Sequence, residues 1–200
     1  MLVHGFMRSN LSMTRMQWAL EKEGYKVYNW GYDSRQKCIT EHSADLLQLL
    51  QYVQREHPDA PLSFVTHSLG GLIVRHCLNH PDMQEQKGKL VMLAPPNQGS
   101  AYARKVGRFW PVRLVLGKHA GRELIQAEQF DSLGPIPAQI DTLIIAGSHD
   151  GKVSTHETCI KYPHKHLVVR STHTFIMCKK SVIQEVLVFF KYSRFNLDSL

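Results

Sequence analysis

The apolar residues of the chain follow two periodicities. Short runs of apolar, β-branched or aromatic residues predict strands at 1–3, 25–30, 62–65, 89–94, 142–146 and 166–170. Between these runs, apolar residues at helical spacing predict helices over 11–24, 41–56, 72–79 and 181–190. Strands and helices that alternate in this way build βαβ units, so we expect an α/β fold with a mostly parallel sheet flanked by helices on both faces.

The sharpest change of periodicity surrounds Ser68, in the stretch Thr66-His67-Ser68-Leu69-Gly70-Gly71. A buried strand ends near Val65 and helical spacing starts at Leu72, so the chain turns from strand to helix within about three residues. A serine on such a turn is held in a strained conformation that exposes its hydroxyl, a nucleophile elbow, and the helix N-terminus directs N–H groups towards negative charge. The alternative is that Ser68 only caps the helix, as serine often does.

Polar residues follow several of the predicted strands, at the edge of the sheet where ligands bind in open α/β folds. Three of them are a serine, an acid and a histidine, in the chain order Ser68, Asp150, His173. A serine hydroxyl attacks an acyl carbon only when a histidine takes its proton and a buried carboxylate orients that histidine. Because the α/β-hydrolase fold uses the order Ser, Asp, His, we expect these three residues to act together.

Other residues compete for two of these positions. Asp150 precedes a glycine, as acids in ordinary turns often do, and Asp141 is a second candidate acid. His149, His164 and His166 flank the same region and are alternative bases. His166, however, starts a predicted strand, which places it at the opposite edge of the sheet.

A zinc site is a further alternative for the histidines. His156, His164 and His166 lie near one another in sequence, but no carboxylate or cysteine stands at ligand spacing on a helix. We therefore expect no metal, and the predicted chemistry needs no organic cofactor. His4 is predicted to shape the turn after the first strand, and His67 to line the elbow.

Five short motifs extend over nearly the whole chain: Leu2-Val3-His4-Gly5-Phe6, Thr66-His67-Ser68-Leu69-Gly70-Gly71, Ala94-Pro95-Pro96-Asn97-Gln98-Gly99-Ser100, Asp150-Gly151-Lys152-Val153 and His173-Thr174-Phe175-Ile176-Met177. Together they resemble the serine esterases and lipases of the α/β-hydrolase superfamily, in particular small bacterial lipase-like proteins. The resemblance implies that Ser68 is the nucleophile, Asp150 the triad acid and His173 the general base. It also implies an oxyanion hole formed by the backbone N–H groups of Phe6 and Leu69.

The chain departs from the family pattern at two places. Thr66 stands where the G-x-S-x-G motif has its first glycine, and the sheet starts at Met1 without the strands that usually precede it. This start indicates either a minimal fold or a chain whose true start lies further upstream. Within the first motif, we expect Gly5 to adopt a positive φ that turns the N–H of Phe6 inward.

Residues 97–127 interrupt the alternation of strands and helices. Apolar residues are crowded there between basic ones: Phe109, Trp110, Pro111, Val112, Leu114, Val115 and Leu116. An insertion before the strand that carries the acid often forms a lid in this fold, and an apolar face there suits an acyl chain. The alternative is an ordinary buried helix.

Length and composition add few restrictions. The 200 residues, 43% of them apolar, predict one domain over 1–200. The net charge of +7 is scattered, so we expect a solvated basic surface and no nucleic-acid partner. Four cysteines without C-x-x-C spacing predict no particular disulfide: Cys38, Cys77, Cys159 and Cys178.

The sequence shows neither a signal peptide nor an apolar stretch long enough to cross a membrane. We therefore expect a cytoplasmic location, which leaves peripheral contact with a membrane open. The predicted function is that of a carboxylic ester hydrolase (EC 3.1.1) that forms an acyl-serine intermediate on a small-molecule ester or lipid. The alternatives are an acyltransferase or thioesterase with the same triad, or a catalytically silent domain that binds a lipid or a protein. The sequence does not predict the oligomeric state.

Overall fold

The computed structural model describes residues 1–116 and 118–192, apart from the side chains of 113–115. Within these residues, six strands form one sheet in the order β2-β1-β3-β4-β5-β6, and each neighbouring pair is parallel. The strands are β1 (Leu2–Val3), β2 (Asn29–Trp30), β3 (Phe64–His67), β4 (Gly88–Leu93), β5 (Ile140–Gly147) and β6 (Lys165–Val169). The predicted parallel sheet is confirmed.

The helices cover the sheet and build the insertion. They are α1 (Thr14–Lys22), α2 (Ile39–Glu56), α3 (Leu69–Leu78), α4 (Ala101–Val106), α5 (Trp110–Leu116), α6 (Ala120–Gln126) and α7 (Lys180–Tyr192). Apolar residues of α2 and α3 pack on one face of the sheet, and those of α1 and α7 pack on the other. No helix of the described segments combines the length and the apolar character needed to cross a bilayer.

Alternate residues of the central strands belong to the two separate cores. Phe64 and Leu90 lie in the core with α2 and α3, whereas Val65 and Val91 lie in the core with α1 and α7. Successive strand side chains point to opposite faces, so a strand covered on both sides is apolar at nearly every position, and buried polar exceptions such as Thr66 and His67 have hydrogen-bond partners. This requirement explains the continuous apolar runs in the sequence.

The predicted strand over 25–30 is much shorter in the structure, where only Asn29–Trp30 pairs with β1. Its partner β1 offers only Leu2 and Val3, so few ladder positions exist. Gly24 ends the preceding helix with a φ of +85°, as the sequence predicts. The other strands and helices differ from the predicted bounds only at their ends.

The strand order brings the loops that follow β1 and β3 together. From β1 the chain first runs to β2 on one side and then returns to β3 on the other, so the loops after β1 and β3 are neighbours. Such a switch point opens a crevice at the carboxyl ends of the strands. Helices α4, α5 and α6, which lie between β4 and β5 in the chain, form one wall of this crevice.

Candidate active site

Ser68 occupies the turn between β3 and α3. Its φ of +49° and ψ of −120° lie in a region that non-glycine residues rarely adopt, and its N–H donates to the carbonyl of Leu93 at 2.9 Å. Glycine at position 70 allows the helix to approach β1, because a Cβ there would lie 2.5 Å from the carbonyl oxygen of Val3. The serine therefore has the geometry of a nucleophile elbow, rather than that of a helix cap, and its side chain makes no capping bond.

Thr66 fits at the elbow because the residue opposite is a glycine. A Cβ at Gly71 would lie 3.2 Å from the Thr66 Oγ1 and 2.8 Å from the Met92 side chain. The Thr66 hydroxyl donates to the carbonyl of Val91 at 3.3 Å, which satisfies it in a buried position. The departure from G-x-S-x-G thus leaves the turn intact.

The structure brings Ser68, Asp150 and His173 together. The Nε2 of His173 lies 3.1 Å from the Oγ of Ser68, and its Nδ1 lies 2.7 Å from the Oδ2 of Asp150. A carboxylate only accepts hydrogen bonds, so Nδ1 carries the proton, and Nε2 is left to accept the hydroxyl proton of Ser68. This is the arrangement in which a histidine can act as a general base.

Asp150 is held in place by its own turn. Its side chain is fully buried, and its Oδ1 accepts the backbone N–H groups of Lys152 at 2.8 Å and Val153 at 2.9 Å. These two bonds leave Oδ2 free to accept from His173. The competing acid, Asp141, is the second residue of β5, opposite Lys89 of β4 in the strand register, and so lies at the opposite edge of the sheet.

The alternative histidines are occupied elsewhere. His149 contacts the hydroxyl of Ser148 at 2.9 Å, and His166 contacts that of Thr158 at 2.8 Å. The Nδ1 of His164 contacts the carbonyl of Tyr162 at 2.7 Å. Among the described residues, no group of three His, Cys, Asp or Glu side chains is arranged to hold a metal ion.

Two backbone N–H groups close to Ser68 in the chain or in the cleft have no acceptor among the described residues. Neither the N–H of Phe6 nor that of Leu69 has a hydrogen-bond acceptor among the residues that the structure describes. The Leu69 N–H is at the first position of α3, where intrahelical acceptors are lacking and the helix dipole favours negative charge. The oxyanion hole at Phe6 and Leu69 stays a prediction.

The reason expected for Gly5 is wrong. Gly5 does not have a positive φ, whereas the nearby Met7 does, at +53°. Glycine is needed because of close packing: a Cβ at Gly5 would lie 2.6 Å from the Nδ1 of His67 and 3.1 Å from the Cβ of Ser68. The first-strand turn therefore lies directly against the elbow.

Two buried histidines bond to the loops after β1 and β6. The Nδ1 of His4 contacts the carbonyl of Gly5 at 2.9 Å, and its ring stacks on Tyr32 at 4.2 Å. The Nε2 of His67 contacts the carbonyl of His173 at 3.0 Å. Burial lowers the pKa of both imidazoles, that of His67 well below its ordinary value.

A cleft of about 170 Å³ opens above Ser68 and His173. Its walls are mostly apolar and come largely from the insertion, which contributes Tyr102, Ala103, Val106, Leu116, Leu124 and Ile125. The Leu114 and Val115 side chains, also predicted to belong to an apolar face here, lie outside the described residues. Phe109 and Trp110, at the start of α5, are 65% and 72% exposed. That the insertion acts as a lid stays a prediction.

One buried charged residue next to the site, Arg75, is not among the residues predicted from the sequence. Arg75 is 1% exposed, and its guanidinium donates to the Asn97 Oδ1 at 2.7 Å and to the carbonyls of Phe130 and Gly134. It therefore fastens α3 to the start of the insertion at Asn97 and to the segment that follows the insertion. A single arginine within the apolar run of this helix, 72–78, was the available signal.

Comparison with known proteins identifies the family. The family model Hydrolase_4, described as "Serine aminopeptidase, S33", matches residues 1–156 and so includes Ser68 and Asp150. The chain belongs to this hydrolase family. No match was found among curated proteins.

Solved structures similar to this hydrolase include the propeptide form of the lipase BlEst2 from Bacillus licheniformis, with a TM-score of 0.77 and 18% identity. The match covers 96% of this chain but only 50% of that one; for the mature form the TM-score is 0.68, with 17% identity and coverage of 94% and 87%. A structure of the metagenome-derived lipolytic enzymes LipS and LipT has a TM-score of 0.69 and 15% identity, with coverage of 95% and 91%. The predicted α/β-hydrolase fold is confirmed, and bacterial lipases are among the proteins that share it.

Proposed function

We propose that this hydrolase cleaves carboxylic esters through an acyl-serine intermediate on Ser68. The observation that carries the proposal is the continuous set of hydrogen bonds from Ser68 through His173 to the buried Asp150, at the base of an apolar cleft. A binding domain needs no such set of bonds. The proposal makes Ser68 the nucleophile, His173 the general base and Asp150 the triad acid.

In the first half-reaction, the Oγ of Ser68 attacks the ester carbonyl carbon while the Nε2 of His173 takes the hydroxyl proton. Negative charge develops on the former carbonyl oxygen, where the N–H groups of Phe6 and Leu69 are free to donate. Fixed donors of this kind contribute about 3–4 kcal/mol each in known oxyanion holes. The tetrahedral intermediate then expels the alcohol, which takes the proton back from His173.

In the second half-reaction, a water molecule replaces the alcohol. His173 takes a proton from the water, whose oxygen attacks the acyl carbon and forms a second tetrahedral intermediate. Collapse of that intermediate breaks the bond to Ser68, and His173 returns the proton to the serine oxygen. The products are the carboxylic acid and the free enzyme.

An ester fits the cleft better than a peptide with a free amino terminus. A substrate ammonium group requires an acceptor, preferably a carboxylate. The described residues that line the cleft include Arg8 and Lys152 but no Asp or Glu. This charge distribution favours neutral or anionic esters, although the family is named after an aminopeptidase.

The size of the cleft favours a short acyl group. About 170 Å³ is below the roughly 300–1,000 Å³ of typical sites for drug-sized ligands. A long acyl chain therefore requires α4, α5 or α6 to move outward, as a lid over the site would. With these helices in place, we expect faster hydrolysis of butyrate esters than of palmitate esters.

The insertion also has the composition of a surface that contacts lipid. Residues 97–127 contain six Lys or Arg residues and one Glu, most of the net positive charge of the chain. Exposed Phe109 and Trp110 lie among these basic residues. Basic and aromatic side chains together favour peripheral contact with an anionic membrane.

Replacement of Ser68 by alanine tests the proposal. We expect Ser68→Ala to reduce p-nitrophenyl butyrate hydrolysis by about 10⁴- to 10⁶-fold without loss of folding, because the nucleophile is removed. Ser148→Ala, at a serine bonded to His149 outside the cleft, is the matched control and should retain full activity. Ester turnover by Ser68→Ala near the wild-type rate would exclude Ser68 as the nucleophile.

An acyltransferase or a thioesterase would use the same acyl-serine and differ only in the acceptor or the substrate. Product analysis with an added alcohol separates a transferase from a hydrolase, since transfer yields a new ester. A catalytically silent domain would hydrolyse neither ester nor thioester, even as wild-type protein.

A further inference from the structure

His67 lies between the elbow and the loop that carries the base. It is the last residue of β3, directly before Ser68, and its ring centroid is 4.9 Å from that of His173. Its Nε2 lies 3.0 Å from the backbone carbonyl oxygen of His173. A carbonyl only accepts, so Nε2 of His67 carries the proton and donates this bond.

The other nitrogen of His67 has no room for a proton and its partner. Among the described residues, Nδ1 is buried without a hydrogen-bond partner, and it faces Gly5 so closely that a Cβ there would lie 2.6 Å away. Burial lowers the pKa of His67 well below its ordinary value, and the adjacent His173 lowers it further. His67 is therefore a neutral imidazole with a single tautomer.

The accepting carbonyl belongs to the same residue as the proposed general base. His173 follows β6 in an irregular segment, so no strand or helix fixes its backbone. Asp150 holds the side chain of His173 through Nδ1, while His67 holds its main chain. Asp150 and His67 together therefore hold His173 by its side chain and by its main chain. Because His67 directly precedes Ser68, the main-chain bond ties the backbone of His173 to that of the nucleophile.

We propose that His67 is a positioning residue that sets the distance between Ser68 and His173 by holding the backbone of His173 through its Nε2–H. This role rests on the proposed function. His67 does not itself exchange a proton with the substrate, because Nε2 is bonded to the carbonyl and Nδ1 faces Gly5. A misplacement of a catalytic group by about 1 Å can cost about 100-fold in rate.

Two amide substitutions at His67 test whether the N–H donor must lie at the position of Nε2 or whether any nearby N–H donor is sufficient. The amide nitrogen of glutamine extends about as far as Nε2 of histidine, whereas that of asparagine extends only about as far as Nδ1. We expect His67→Asn to lower kcat about 10- to 100-fold with little change in KM, and His67→Gln to recover most of that loss. His166→Asn, at a histidine bonded to Thr158, is the matched control and should leave kcat unchanged.

The kinetic result overturns the proposal if His67→Asn retains the wild-type kcat, or if the glutamine and asparagine variants lose equal activity while both stay folded. A second measurement does not depend on activity or on a variant. The ¹H–¹⁵N spectrum of ¹⁵N-histidine-labelled wild-type protein should show His67 as the Nε2–H tautomer, with a proton that exchanges slowly. The Nδ1–H tautomer would overturn the role of His67 even in an active enzyme, whereas loss of Ser68 reactivity with the predicted tautomer would overturn only the proposed function.

Discussion

Replacement of Asp150 by asparagine should disable His173 without disturbing the fold. The Oδ1 of Asp150 accepts two backbone N–H groups, from Lys152 and Val153, and Oδ2 accepts the Nδ1–H of His173. Asparagine has one acceptor oxygen, which the two backbone donors retain. Its amide group then faces Nδ1 of His173, and two N–H donors cannot point at each other.

The imidazole must therefore move its proton to Nε2, the nitrogen that faces Ser68. A protonated Nε2 can no longer take the serine proton, and a change to this wrong tautomer costs about 10⁴-fold in kcat in a serine protease triad. That factor corresponds to about 5 kcal/mol of lost transition-state stabilisation. The backbone bonds of the turn persist, so we expect KM and the melting temperature to change little.

Steady-state hydrolysis of p-nitrophenyl butyrate by Asp150→Asn measures kcat and KM separately, and circular dichroism confirms folding. Asp141→Asn is the matched control, since Asp141 lies at the opposite edge of the sheet and should keep wild-type turnover. A kcat within tenfold of wild type would refute the role of Asp150. A rise in KM at constant kcat would indicate that the carboxylate contacts the substrate instead.

Three further predictions follow from the structure. Gly5→Val should lower ester turnover far more than labelling by a small fluorophosphonate, because the valine side chain would push the turn that carries the proposed oxyanion-hole donor Phe6 away from His67. Equal losses in both assays would contradict this. Burial lowers the pKa of His67, so below about pH 6.5 the unfolded state binds more protons than the folded state. The melting temperature should therefore fall from pH 7.5 to pH 5.5, and a constant melting temperature would contradict this. The double variant Phe109→Ser, Trp110→Ser should lose co-sedimentation with phosphatidylglycerol vesicles. Trp18→Ser, at a similarly exposed aromatic residue, is the control and should still co-sediment. Wild-type protein that binds only neutral phosphatidylcholine vesicles would refute the role of charge.

The sequence predicts the sheet and the elbow because both depend on local patterns. Continuous apolar runs follow from burial on both faces, and the change from Val65 to helical spacing at Leu72 leaves room only for a sharp turn at Ser68. Ser68, Asp150 and His173 each follow a predicted strand, and they are expected to lie close together because the carboxyl ends of parallel strands meet at one edge of the sheet. The catalytic roles of these residues stay predictions until activity is measured.

Features that depend on packing between distant segments could not be predicted. Gly5 is required by the His67 ring, 62 residues away in sequence, which no local pattern reveals. The length of β2 depends on how many residues of β1 are available to pair with it. Arg75 finds its acceptors at Asn97 and in the segment after the insertion, so its isolated charge in an apolar helix has no interpretation until those loops are placed.

Covalent labelling tests the central claim most directly. Wild-type protein incubated with a fluorophosphonate should gain the mass of one phosphonyl group, and peptide mapping should place that group on Ser68. The Ser68→Ala variant should gain none, and Asp150→Asn should react far more slowly than wild type. Folded wild-type protein that gains no adduct, or an adduct on a residue other than Ser68, would contradict the account.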